Sequence, residues 1–178
     1  MNITKQKTRN LTLCALFAAL CAVCSQIAIP LPMVPINLAL FAVHLAGALL
    51  GARYGTLSML IYLILGLVGV PVFQGFKAGP SALFGPTGGY IIGYLAAAAV
   101  IGFTTSRFGY RFHTLCIGMA IGVILCYTIG TIWFIIIMNV GILESLSSCV
   151  FPFLPGDIVK ILLAAVLTKR LYPVLIHS

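Results

Sequence analysis

Apolar positions along this chain run in blocks instead of alternating with polar ones. The blocks are Leu11 to Ile29, Asn37 to Leu50, Thr56 to Val70, Gly88 to Phe103, Thr114 to Met138 and Gly156 to Leu175. A helix crosses the hydrocarbon core of a bilayer with about 20 apolar residues. The second and third blocks are short by that measure. Arg53, flanked by Gly51 and Gly55, predicts a tight turn between them instead of one long helix. The other breaks carry their own marks. Pro30, Pro32 and Pro35 follow the first block, and a Gly/Pro-rich stretch from Pro71 to Pro86 follows the third. Arg107 to Arg111 follows the fourth block, and Gly141 to Pro155 follows the fifth. The pattern predicts an all-α integral membrane bundle of six transmembrane helices. It forms a single domain over residues 1–178, with residues 1–10 as a cytoplasmic N-terminal segment.

Composition agrees. Hydrophobic residues make up 62% of the 178, charged residues 7%, and mean hydropathy is +1.19. A soluble domain of this size has no means of hiding that much apolar surface. The net charge of +8 would suggest nucleic acid in a soluble protein, but here the basic residues gather at block ends. Membrane topology explains them, and nucleic acid is not expected as a partner. With six spans and the N-terminus inside, Lys5, Lys7, Arg9, Arg53, Arg107, Arg111, Lys169 and Arg170 all face the cytoplasm. Five spans would put Lys169 and Arg170 outside, against the positive-inside rule. The N-terminal run is too long, and its flank too poor a cleavage site, for a signal peptide, so it is expected to be retained.

The two charges at the start of the last block stand out against this background. Asp157 is one of two acidic residues in the chain, and Lys160 lies three positions on. Ionisable groups beside or within a span cost free energy unless paired or hydrated, which makes them functional candidates. At i and i+3 they share a helix face. Asp157 alone would complement the positive end of the helix dipole, and Lys160 alone could snorkel to headgroups. Together they suit a small polar molecule bringing donors to the carboxylate and acceptors to the ammonium. The topology puts the pair on the outer side, with the loops Pro30 to Ile36, Pro71 to Thr87 and Gly141 to Pro155. The first is stiffened by its prolines. The second has the length and composition of a lid or binding loop.

Other features carry less. Ala15, Ala18, Ala19 and Ala22 give small-xxx-small spacing, which lets helices approach closely in lipid and serves internal packing equally well. Cys21 and Cys24 form C-x-x-C within an apolar helix, with no second pair, so they read as small fillers and no metal is expected. No nucleophile elbow, H-E-x-x-H motif or phosphate loop occurs, and the sole Glu leaves no carboxylate pair for acid/base work. The chain is therefore not expected to be an enzyme or to hold a cofactor. Any active transport must draw energy from a partner or a gradient.

Four segments, in order, resemble one family. They are Gln26-Ile27-Ala28-Ile29-Pro30-Leu31-Pro32-Met33-Val34-Pro35-Ile36, Gly66-Leu67-Val68-Gly69-Val70-Pro71-Val72-Phe73, Phe84-Gly85-Pro86-Thr87-Gly88-Gly89-Tyr90 with Ile91-Ile92-Gly93-Tyr94, and Pro155-Gly156-Asp157-Ile158-Val159-Lys160. The chain is similar to the biotin-specific substrate-capture component of bacterial energy-coupling-factor vitamin transporters. That resemblance implies six helices in the inner (plasma) membrane and an outward-facing biotin pocket beneath the first and third loops. It also implies assembly with a membrane scaffold subunit and two cytoplasmic ATPases, docked through the small residues of the first helix, centred on Ala15 and Ala19. Biotin carries a ureido group with two N–H donors and a carbonyl, and its tail ends in a carboxylate. Asp157 suits the donors, and Lys160 suits either the ureido oxygen or the carboxylate. Phe73, Phe84 and Tyr90 could wall the ring and tail, and Gln74 and Lys77 lie on the Pro71 to Thr87 loop, the third along the chain when the turn at Arg53 is counted. A stand-alone gradient-driven biotin carrier, or a subunit for another small vitamin, stays open on the sequence alone.

Overall fold

The computed structural model describes residues 3–29 and 36–177. Of the predicted stiff loop Pro30 to Ile36, residues 30–35 lie outside the described residues and Ile36 opens a short strand. The chain forms α1 (Ile3–Gln26), β1 (Ala28–Ile29), β2 (Ile36–Asn37), α2 (Ala39–Val68), α3 (Pro80–Leu83), α4 (Gly88–Phe108), α5 (Phe112–Met138), α6 (Ile142–Cys149) and α7 (Leu154–His177). Apart from the two-residue strands, paired antiparallel with Ala28 opposite Asn37, the architecture is all-α. Among the described residues, four helices are long and apolar enough to cross a membrane, and five if α6 and α7, which meet at 51°, form one broken span.

The helix α2 is not a straight rod. Gly51 sits at φ 75° and ψ 177°, a conformation open to glycine because it lacks a Cβ. At Gly55 a Cβ would come within 2.8 Å of the Ala46 carbonyl oxygen and 2.9 Å of Gly47 Cα. Residues eight apart in a continuous helix stand about 12 Å apart along its axis. The chain therefore doubles back between Leu50 and Ala52, where the sequence predicts a turn. The reversal brings Leu40 and Tyr62, from its two arms, to one cavity. The second arm ends at Gly69, left-handed at φ 112°, whose N–H caps the Gly66 carbonyl.

Small residues set the packing distances. The helix α4 is the most enclosed of the spans and packs against both α2 and α5. A Cβ on Gly47 would meet the Ala98 carbonyl oxygen at 2.8 Å, and one on Gly93 would meet Cys126 Cα at 3.0 Å. Without a hydrophobic driving force between helices in lipid, such close backbone contact carries much of the association. Large apolar side chains face outward, among them Leu16, Val23, Phe103, Ile124 and Ile136. Lipid tails solvate that surface.

Element ends depart from expectation in several places, and the Pro71 to Thr87 loop contains the short helix α3. The first helix begins at Ile3, inside the predicted N-terminal segment. Arg107 belongs to the last turn of α4 instead of a loop. The stretch Gly141 to Pro155, read as a loop, contains α6. This helix has eight residues, Ile-Leu-Glu-Ser-Leu-Ser-Ser-Cys, too few and too mixed in polarity to register as an apolar block. It is held by tertiary contact, with Ser145 and Cys149 buried.

The reversal supplies a prediction. Replacing Gly55 with Leu forces a side chain into the Ala46–Gly47 backbone and is expected to cost about 1–3 kcal/mol. A thermal melt in detergent should fall by several degrees, whereas Ile124→Leu on the lipid face should melt like the wild type.

Candidate functional site

Asp157 lies in the first turn of α7, its N–H bonded to the Phe153 carbonyl at 2.9 Å, and Lys160 follows on the same face. Both side chains turn inward, with residue exposures of 2% and 6%. The Lys160 ammonium donates to Asp157 Oδ1 at 3.0 Å. Tyr127, from α5, donates its hydroxyl to Asp157 Oδ2. A buried ion pair is tolerated when its geometry is good and its remaining acceptors are bonded. Here each carboxylate oxygen has a donor. Lys160 keeps donors to spare, since an ammonium carries three.

These groups open on a cavity of about 180 Å³. Its walls include Tyr62 and Phe73, Tyr90 and Tyr94 of α4, Tyr127 of α5 and Phe153. Tyr127 packs edge-on to Tyr90 at a centroid distance of 6.2 Å and to Phe153 at 6.4 Å. Tyr90 is tethered by its hydroxyl to Thr131 Oγ1 at 3.3 Å. A second polar cluster lines the cavity. Asn37 Nδ2 donates to Gln74 Oε1 at 3.0 Å, while Asn37 Oδ1 accepts from the Ala39 N–H. Gln74 Nε2 is buried without a partner among the described residues. Aromatic walls with a few convergent polar groups are the usual makeup of a small-molecule site.

The loop bearing Phe73, Gln74 and Lys77 is clamped from α1. Gln26 Nε2 donates to the carbonyls of Val72 and Phe73 at 3.1 and 3.0 Å, and its Oε1 accepts the Phe76 N–H at 3.0 Å. Ser25 Oγ adds a bond to the Val72 carbonyl at 2.6 Å. Phe76 is held left-handed at φ 57°, rare for a bulky residue. The Phe73 ring seats over Gly66 and packs edge-on to Tyr62 at 5.6 Å.

Six of the residues singled out from the sequence meet at this cavity: Asp157, Lys160, Tyr90, Phe73, Gln74 and Lys77. Phe84 does not. It is 62% exposed and lies beside Trp133, whose indole N–H bonds the Gly85 carbonyl. Ala15 and Ala19 are exposed on the outer face of α1, whereas Ala18 is buried. Sequence reasoning passed over Tyr127, Asn37 and Gln26. A signal existed for Tyr127: a phenol in the middle of a strongly apolar span needs a partner for its hydroxyl. Asn37 and Gln26 flank a proline run and resemble ordinary span ends.

A model of the BioY family matches residues 1–177. The chain belongs to the BioY family. Among its relatives, the probable biotin transporter BioY of Pyrococcus horikoshii is 39% identical over 165 residues, covering 93% of this chain and 97% of that one. The biotin transporter BioY of Thermotoga maritima is 38% identical over 164 residues, covering 92% and 95%. Among solved structures, the S-component for biotin from an ECF-type ABC transporter superposes with a TM-score of 0.89 at 34% identity. That match covers 96% of this chain and 94% of the other. The likeness runs nearly end to end in each case, so it is the whole bundle and not a local motif that the chain shares with these proteins.

The Gln26 clamp generates a prediction. Gln26→Leu removes three bonds to the loop, each contributing about 1 kcal/mol. Backbone amides from Val72 to Lys77 should then exchange with deuterium at least tenfold faster, while amides within α5 keep their wild-type protection.

Proposed function

We propose that this chain captures biotin at the outer face of the membrane, as the substrate-binding subunit of an energy-coupling-factor transporter. The observation that carries the reading is the buried Asp157–Lys160 pair facing an aromatic cavity, in a chain of a family whose relatives are named biotin transporters. A charged pair supplies the donor and acceptor that a ureido ring requires, and aromatic walls suit its fused ring and aliphatic tail. Charge-assisted bonds of this kind are worth about 1.5–3 kcal/mol each.

The arrangement in the membrane forms part of the proposal. The reversal at Gly51 divides α2 into two arms, and α6 with α7 completes six crossings with both termini in the cytoplasm. The inner (plasma) membrane is the proposed location. The clustering of Arg53, Arg107, Arg111, Lys169 and Arg170 at one end supports this orientation. The energising partners are a membrane scaffold subunit and two ATPases. The solved neighbour's description as an S-component of an ECF-type ABC transporter supports that assembly.

Binding tests the reading directly. Purified wild-type chain in detergent should bind biotin by calorimetry. Asp157→Asn and Lys160→Met should each weaken that binding tenfold or more, because an unpaired buried polar group costs about 1–3 kcal/mol. Wild-type affinity in both folded variants would remove the pair from the site. Vesicles holding only this chain should bind but not accumulate biotin; accumulation would identify a stand-alone carrier.

The docking surface has its own test. Ala15 and Ala19 form a low notch among Leu16, Leu20 and Val23, all exposed to lipid. Ala15→Trp or Ala19→Trp should abolish co-purification with the scaffold subunit and leave biotin affinity within about twofold, since neither residue lines the cavity. Full co-purification of both variants would move docking elsewhere.

A further inference from the structure

Resting on the biotin reading, we infer that Tyr127 is a positioning residue that fixes the Asp157 carboxylate as one half of a donor–acceptor edge for the ligand's urea group. A carboxylate offers about four lone-pair sites, two on each oxygen. Lys160 occupies one on Oδ1, and the Tyr127 hydroxyl occupies one on Oδ2. The two donors arrive from different helices, α7 and α5, so the carboxylate is gripped from both ends and its torsion is set. What remains is one free lone pair on each oxygen. Beside Oδ1, 3.0 Å away, stands an ammonium with donors to spare.

That edge selects a chemistry. In a cyclic urea each N–H lies beside the carbonyl on the same side of the ring, so one edge presents a donor and an acceptor together. The Asp157–Lys160 pair presents the matching acceptor and donor. A ligand carboxylate brought to the same place would set like charges together and be disfavoured. The urea end therefore belongs at Asp157 and the acidic tail elsewhere. Tyr127 itself is braced by edge-on packing against Tyr90 and Phe153, which keeps the hydroxyl from following a moving carboxylate.

The composition of the chain makes the test direct. Asp157 is its sole aspartate. Protein labelled with 13C at the aspartate side-chain carboxyl gives one resonance, and that resonance reports this group alone. Tyr127→Phe should shift it in the ligand-free protein and lower biotin affinity about tenfold. In an Asp157→Asn background, the same change should alter affinity by about twofold or less, because the two residues act as a unit. An unmoved resonance, or an equal affinity loss in both backgrounds, would overturn the proposal and leave Tyr127 as a wall. If Tyr127→Phe fails to fold, uniform replacement of tyrosine by 3,5-difluorotyrosine keeps the shape and strengthens the phenol as a donor. The aspartate resonance should then move, and an unchanged resonance would again overturn it. Failure of the wild type to bind biotin would count against the proposed function; a bound wild type with an unmoved resonance counts against Tyr127 alone.

Discussion

Burying a carboxylate and an ammonium together inside an apolar bundle is the constraint around which the cavity end of this protein is organised. Each charge loses water on burial, and their mutual attraction offsets that loss only if the geometry is good and further bonds are made. The helix start at Leu154 sets Asp157 and Lys160 on one face, and the bundle turns that face inward. The second carboxylate oxygen requires a donor from outside the helix, and Tyr127 provides it. Removing either charge would strand the other. A chain with two acidic residues in 178 holds one of them in this position, where it does most for a ligand that brings its own hydrogen-bonding groups.

The pair faces a cavity because other parts of the chain come to it from far away in sequence. The reversal at Gly51 returns the second arm of α2 to the level where the first began, so Leu40 and Tyr62 meet across the cavity. Gln26 and Ser25, at the end of α1, then hold the chain from Val72 to Phe76 through its backbone carbonyls and one N–H. Bonds to backbone constrain a loop whatever its side chains are. Gln74, between the held Phe73 and Phe76, is thereby kept at the cavity, where Asn37 bonds its side chain. Close helix approach through Gly47, Gly93 and Ala98 makes the same economy in the bundle, since small residues give rigidity without filling the cavity.

The two surfaces that a capture subunit needs lie on separate residues. The cavity draws on α2, α4, α5, α6 and α7 and on the loop after α2. The exposed alanines of α1 take no part in it. In the proposed assembly, binding and docking can then be altered independently, and α1 links them mechanically, through Gln26 at one end and Ala15 and Ala19 further along the same helix.

Much was legible in the sequence because membranes impose blunt rules. Long apolar blocks had to be helices, since lipid leaves backbone polar groups no other partners. Glycines around Arg53 had to mark a turn, and rare charges beside a span had to be paired. Asp157 and Lys160 follow from those rules, and four motif segments named the family. Block averaging missed α6, a short stretch of mixed polarity that packs through Ser145 and Cys149. Phe84 was drawn toward the cavity by its aromatic character alone, yet it lies outside beside Trp133. Tyr127, Asn37 and Gln26 acquire their roles from partners 30 to 50 residues away. Sequence spacing determines which side chains share a face of one helix. Which faces meet, and so which phenol reaches which carboxylate, is decided by how the helices pack.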